Sequence, residues 1–329
     1  MPGGPERTDL MDTPRQRSAR MPNLELMPIL QQTITLEVAK ALGFSRTGRA
    51  PKLIAPLVAA ATGRFARLAA RFDEDVVSAG LCEAARRFLP AFIAGCRQTG
   101  AEGVPVAGPL LIASNHPGAS DALAIAVSLG RDDLHIALSD SAFVRALPHA
   151  GQHFIRVPLD TEGRAQVIRE IIETLRAGKS VLIFPTGHVT PDPEMARDPA
   201  IIFEDWSESI ALILKRVPEA QVVTAIASGV LHPKYLRHPL LRLRRLAWRR
   251  QILAEFLQVL HQMVQQDTLN LEPRVSFGPP AAAATLSAKG DRGSLHTAVL
   301  GLARETLELH LEAGNLAHRV AIGAAHVGT

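Results

Sequence analysis

One segment of the chain has the residue types and spacing for proton transfer. It reads Ser114-Asn115-His116-Pro117-Gly118-Ala119-Ser120-Asp121 and follows directly on the apolar run Pro109–Ser114. A turn at Pro117-Gly118 lets the Asp121 carboxylate fold back onto the His116 imidazole. The carboxylate then fixes the tautomer and stabilises the imidazolium, leaving the other ring nitrogen to take a proton from a hydroxyl. The same letters also suit a plain capped turn, since Ser120 or Asp121 at a helix start is ordinary capping chemistry. Gly118-Ala119-Ser120-Asp121-Ala122 approaches the G-x-S-x-G nucleophile elbow, with Ala in the fifth position. A serine hydrolase or esterase using Ser120 is therefore an alternative.

A second loop, Phe184-Pro185-Thr186-Gly187-His188, follows the apolar run Val181–Phe184. Its Pro-Gly turn exposes backbone N–H groups and polar side chains, which suits an oxyanion or a phosphate, or is simply a loop between strand and helix.

These segments carry a resemblance. Asn115-His116…Asp121 resembles the N-H-x-x-x-x-D motif of the glycerol-3-phosphate and 1-acylglycerol-3-phosphate acyltransferase family. Phe184-Pro185-Thr186-Gly187 is similar to its F-P-E-G motif, and Gly151–Arg156 to its G-x-x-F-I-x-R motif. Val222–Leu231 resembles its late V-P-x-x-x-x-G strand and loop. Order and spacing agree from about residue 103 to residue 235. The chain departs from the pattern at Thr186, where the family has Glu, and at Thr224, where it has Pro. Arg156 stands one residue before the family Arg, at Val157, so either a bulge re-aims Arg156 or Arg164 takes its place.

The resemblance implies transfer of a fatty acyl group from an acyl thioester, acyl-CoA or acyl-carrier protein, to a hydroxyl of a glycerol-phosphate or lysophospholipid acceptor. His116 is then the general base and Asp121 its orienter. Asn115, Gly118, Phe184, Pro185 and Gly187 shape the site. Arg156, or Arg164, holds the acceptor phosphate, and Thr186 and His188 line the acceptor side. No bound cofactor is implied. With Thr for Glu, a non-catalytic lipid-binding member of the same fold is a further alternative.

These residues need elements to hold them. Residues 1–22 are polar and Pro/Gly-rich and read as a disordered tail. Residues 23–100 read as an all-helical N-terminal domain, with apolar residues at helical spacing in Leu24–Leu42, Leu53–Phe72 and Val76–Cys96. From about 101 to 315, short apolar runs alternate with helical patterns. The expected strands are Pro109–Ser114, Leu134–Leu138, His153–Val157, Ser180–Phe184, Gln221–Ala227 and Arg274–Phe277. The last expected helix is Leu295–Glu312, with 316–329 a flexible tail. Such alternation predicts an α/β fold with a mostly parallel central sheet flanked by helices, and ligands beyond the strand C-termini.

Composition narrows the partners. The chain has 329 residues, 47% hydrophobic, with 4% aromatic and two cysteines. A disulfide scaffold, a Cys-rich metal site and an aromatic platform for single-stranded nucleic acid are disfavoured, and no metal-ligand motif is present. Net charge is +4, but residues 232–250 hold seven Lys/Arg and no acid. There Arg242, Arg244, Arg245 and Arg249 interleave with leucines and Trp248, as an interfacial helix on anionic lipid would require; a solvated helix packing its Leu side is the plainer alternative. No apolar run reaches the length of a membrane span, the nearest being Leu53–Gly63. The expected location is cytoplasmic, peripheral on the inner face of the membrane.

Overall fold

The computed structural model describes residues 26–45, 48–158, 163–266, 268–287 and 292–327, the last with side chains over 294–314. The tail expected over residues 1–22 lies outside these. Strands β1 (Arg97–Thr99), β2 (Leu110–Ser114), β3 (Leu134–Ser139), β4 (Phe154–Val157), β5 (Ser180–Ile183), β6 (Gln221–Ser228), β7 (Arg274–Phe277) and β8 (Ala281–Ala282) form one sheet. Its order is β1-β7-β6-β2-β5-β3-β4, with β8 on β6. Only the β6–β7 and β6–β8 pairs are antiparallel. The six expected strands are present within a residue or two. Three-residue β1 and two-residue β8 are too short to leave a pattern in the sequence.

Helices cover both faces, which is why β2 and β5 are apolar without alternation and buried throughout. The chain opens with α1 (Leu26–Ala41), α2 (Ala50–Ala79) and α3 (Leu81–Phe88), and α4 (Asp121–Leu129) and α5 (Ala142–Arg145) follow. Leu30, Ala66, Leu81 and Ile125 from these helices share one buried cluster with Leu110, Ile112 and Leu182 of the sheet. The N-terminal helices thus form a layer on the sheet and share its core. The opposite face is covered by α6 (Arg164–Arg176), α7 (Ser209–Arg216), α10 (Ala283–Ser287) and α11 (Arg292–Val327), with Val167, Ile213 and Val299 packed on Leu111, Val181 and Val222. The scarce aromatics are spent in the first layer, where Phe65, Phe72, Phe88, Phe92 and Phe143 pack with ring centroids 5.0–6.2 Å apart.

Three expectations about helices are corrected. The break expected at Phe72–Asp75 is continuous helix, because buried Asp73 accepts the N–H groups of His149 and Ala150, at 2.9 and 2.8 Å, and docks α2 on the α/β layer. The chain breaks instead at Gly80 (φ +84°), where a Cβ would stand 2.6 Å from the Asp132 carboxylate that caps Cys82 N–H. Unbroken, α2 is long and apolar enough to cross a membrane by length and composition, although a third of its most apolar window is buried in the protein. Finally, α11 runs to Val327, past Glu312 and through most of the tail expected over 316–329. That segment is Ala-rich and lacks Pro, and glycines weaken a helix without ending it.

Residues 232–250 do not form the single interfacial helix expected. Prolines at 233 and 239 divide them into α8 (Pro233–Leu236), a 3₁₀ turn (Pro239–Leu243) and the start of α9 (Ala247–Gln265), with His232 and His238 capping the two short turns.

Candidate active site

The C-terminal ends of β2, β5 and β6 lie side by side, and three loops leave the sheet there. Asn115, fully buried, is the first residue after β2. Its side-chain amide donates to Ala227 O at 2.9 Å and accepts from Ala227 N–H at 2.8 Å, fixing the strand end before the chain turns. The Pro117-Gly118 turn then brings Asp121, at the start of α4, back to His116. Asp121 Oδ2 accepts from His116 Nδ1 at 2.9 Å and from Gly118 N–H at 3.1 Å. Asp121 is fully buried and the imidazole about a quarter exposed, so Nε2 is the ring nitrogen left to meet a substrate.

Burial alone would push the imidazole down. The Asp121 carboxylate, by charge and hydrogen bond, and Glu255, by charge, outweigh it and hold His116 above its ordinary value. The ring also stacks on Phe184, with centroids 4.3 Å apart, which restricts its rotation.

The second loop is tied to the first. His116 N–H donates to Thr190 Oγ1 at 3.0 Å, and Thr190 N–H donates to His116 O at 2.8 Å. Gly187 turns at φ +67° and donates to Phe184 O at 2.9 Å. Thr186 donates its hydroxyl to His188 O at 2.7 Å, so this side chain organises the turn. Pro185 O accepts Ser207 N–H at 3.1 Å, and His188 Nε2 lies 3.4 Å from Asp205.

Farther along, Asp192 accepts the N–H groups of Gly229 and Glu194, at 2.6 and 3.0 Å. Glu194 accepts from Ser228 and Arg274, and buried His310 bridges Ser276 and Ser228 at 2.8 Å on each side. This network braces the loop against β6, β7 and α11. Burial lifts the Asp192 carboxyl to about 6. Burial would also raise Glu194, but hydrogen bonds from His310, Ser228 and Arg274 bring it down to about 2. The Thr224 hydroxyl pairs with that of Thr306 of α11 at 2.6 Å.

The expected phosphate ligands separate. The β3–β4 register is continuous, so there is no bulge at Arg156. Alternation places Arg156 on the face of Phe154, whose cluster also receives Phe184 and therefore lies on the side of the imidazole stack. Arg156 is exposed on the edge strand, three strand positions from β2, about 14 Å at the usual spacing. Arg164 begins α6 in the layer on the opposite face. No hydrogen bond joins Ser120 to His116, whose carboxylate partner is Asp121, so the Ser–His pair of a hydrolase is not formed.

Within the basic block, Arg244 is corrected from a membrane contact to a structural cap. Its guanidinium donates to Lys40 O at 2.6 Å and, through Nε, to Ala41 O at 2.8 Å, closing the C-terminus of α1. Arg242, Arg245 and Arg249 are exposed, and Arg249 lies 5.0 Å over the Trp248 ring. Beside them an open recess of about 470 Å³ is lined by Arg237, His238, Arg242, Arg250 and Gln251 among others. Gln251 reaches from it to Pro117 O at 2.8 Å and to Thr190 O at 2.5 Å, touching both motif loops. Gln251 and its α9 neighbour Glu255, which accepts Ala119 N–H, are site residues that motif reading missed. The available signal was a set of polar residues at helical spacing among the apolar positions of α9. Among the described residues, no group of three or more His, Cys, Asp or Glu side chains is placed to hold a metal ion.

Residues 96–203 match the model of the Acyltransferase family. No curated protein matches the chain. Among solved structures it is similar to the 1-acyl-sn-glycerophosphate (LPA) acyltransferase PlsC of Thermotoga maritima, at 13% identity and a TM-score of 0.43, over 87% of this chain and 99% of that one. The stretch that holds His116, Asp121 and the Phe184–Thr190 loop thus lies inside the part of the chain that matches the Acyltransferase family model.

Proposed function

We propose that this acyltransferase moves a fatty acyl group from an acyl thioester, carried by coenzyme A or acyl-carrier protein, to a hydroxyl of a glycerol-phosphate or lysophospholipid acceptor. The observation that carries the reading is the 2.9 Å bond from His116 Nδ1 to buried Asp121, which leaves Nε2 toward the loops. The acceptor hydroxyl gives its proton to Nε2 as its oxygen attacks the thioester carbonyl. The tetrahedral intermediate then collapses, the C–S bond breaks, and the imidazolium returns the proton to the departing thiolate. No covalent acyl-enzyme is required, in keeping with Cys82 being buried in the helical layer with its thiol pushed up to about 12.

Arg156, on the face of the imidazole stack, is our choice for the acceptor phosphate over Arg164, which lies in the other layer. Membrane contact is proposed through Arg242, Arg245, Trp248 and Arg249, together with the apolar start of α2, where Leu53 and Leu57 are 72% and 83% exposed. This gives a peripheral enzyme on an anionic lipid surface.

The test is mass spectrometry of products from purified protein with acyl-CoA and acyl-carrier-protein donors and a panel of glycerol-phosphate, lysophospholipid and neutral acceptors. Acylation of a phosphate-bearing acceptor is expected. Lipid binding without any acyl transfer would refute the reading, and acylation confined to neutral acceptors would remove the phosphate from it.

A further inference from the structure

Helix α9 turns a narrow polar stripe inward. Gln251, Glu255, Gln258 and Gln262 follow one another at steps of four, three and four, the spacing of one helix face. The three glutamines are buried and Glu255 is half-buried. Each clamps the backbone of a neighbouring loop. Gln251 donates to Pro117 O and Thr190 O, and Glu255 accepts Ala119 N–H. Gln258 accepts His232 N–H at 2.7 Å and donates to Val230 O at 3.0 Å, and Gln262 donates to Phe92 O at 2.7 Å.

Neutral amides suffice for every one of these bonds, and three of the four positions are neutral amides. The exception is seated on the turn between His116 and Asp121, where it accepts Ala119 N–H and where a Cβ at Gly118 would lie 3.6 Å from its Oε1. A glutamine oxygen could also accept Ala119 N–H, so the contact by itself does not require a carboxylate, and holding a charge partly out of water is unfavourable. What it adds at this position is charge beside the imidazole.

We propose that Glu255 is a positioning residue that acts through His116: its carboxylate, together with Asp121, holds and stabilises the imidazolium formed when Nε2 takes the acceptor proton. Asp121 binds Nδ1 directly, while Glu255 acts through space from the Ala119 side of the loop. The charged groups bearing on Glu255 among the described residues are His116 and Asp121; α1, α2, α8 and the 3₁₀ turn Pro239–Leu243 with its Arg242, the other elements packed on α9, add none. Burial raises the Glu255 carboxyl to about 7, so it and the imidazole titrate as a coupled pair.

The consequence for rate rests on the proposed general-base reading, whereas the effect on the imidazole is independent of it. The test is therefore an NMR titration of the His116 ring in the full-length protein and its Glu255→Gln and Glu255→Asp variants. Glu255→Gln keeps the acceptor for Ala119 N–H, so the melting temperature should be held while the His116 pKa falls by about half a unit or more. The acid limb of the acyl-transfer pH profile should move the same way, a change that a merely structural clamp would not produce. Glu255→Asp, which keeps the charge, should stay nearer the wild type. The proposal is overturned if His116 titrates identically in Glu255→Gln and wild type, or if Glu255→Asp shifts it as far as Glu255→Gln. Absence of acyl transfer from the wild-type protein would refute the proposed function and leave the titration result standing.

Discussion

Replacing Asp121 with Asn removes one charge and almost nothing else. Asn is nearly isosteric, and its amide oxygen remains able to accept Gly118 N–H, so the turn has reason to survive. The lost term is the attraction between a buried carboxylate and the imidazolium of the transition state. With Nδ1 and Oδ2 2.9 Å apart, the charge centres lie about 4 Å from each other. At an effective dielectric constant of about 20 that attraction is about 4 kcal/mol, or roughly three orders of magnitude in rate. The loss should fall on kcat, because the imidazole is neutral while substrate binds. It should be accompanied by a drop in the His116 pKa, since Asp121 is what raises it against burial. The assay is single-turnover acyl transfer with saturating acceptor, alongside the thermal melt. A kcat loss below about tenfold with an intact fold would refute the charge argument, and so would a loss confined to KM.

Other perturbations separate structure from function elsewhere. Arg244→Ala should lower unfolding stability by about 1–2 kcal/mol, because the carbonyls of Lys40 and Ala41 lose a charged donor, and leave vesicle binding nearly unchanged. Reversing Arg242, Arg245 and Arg249 to Glu should instead weaken binding to anionic vesicles at low salt and leave the melt unchanged, with sedimentation as the readout. Gly278→Ala should destabilise by about 1–3 kcal/mol in urea titration, since a Cβ there would stand 2.2 Å from Thr306 Oγ1 and 2.8 Å from Thr224 Oγ1. Glu194 is held near 2 in the folded state, below its ordinary 4.5, so its contribution is present above pH 4.5 and lost as pH falls toward 2. Glu194→Gln should therefore lower the melting temperature at neutral pH and flatten its decline across that acid window.

Much of the central sheet and the heart of the site were legible because both are local in sequence. Buried parallel strands such as Leu110–Ser114 and Ser180–Ile183 are unbroken apolar runs bounded by turns, and His116 and Asp121 are five residues apart on one turn. What escaped depended on long-range contacts. Asp73 reads as a helix breaker until His149 and Ala150 supply the N–H groups that occupy it. Arg244 reads as one more cation in a basic run until the carbonyl end of α1, some two hundred residues earlier, comes to meet it. Glu255 and Gln251 carry no motif, and their role exists only because α9 crosses the loops that follow β2 and β5. Thr186, by contrast, departs from the resembling motif in a way the fold explains locally, as a hydroxyl closing its own turn.

The central claim is that His116 Nε2 takes the proton from the acceptor in a reaction that needs no covalent acyl-enzyme. It is tested most directly by measuring acyl transfer from an acyl thioester to a phosphate-bearing acceptor in wild type and His116→Ala, with intact-protein mass spectrometry of the quenched reaction. A fall in kcat of at least about a hundredfold, with no acylated protein in either sample, is predicted. Undiminished turnover in His116→Ala, or an acyl adduct on the wild-type chain, would contradict it.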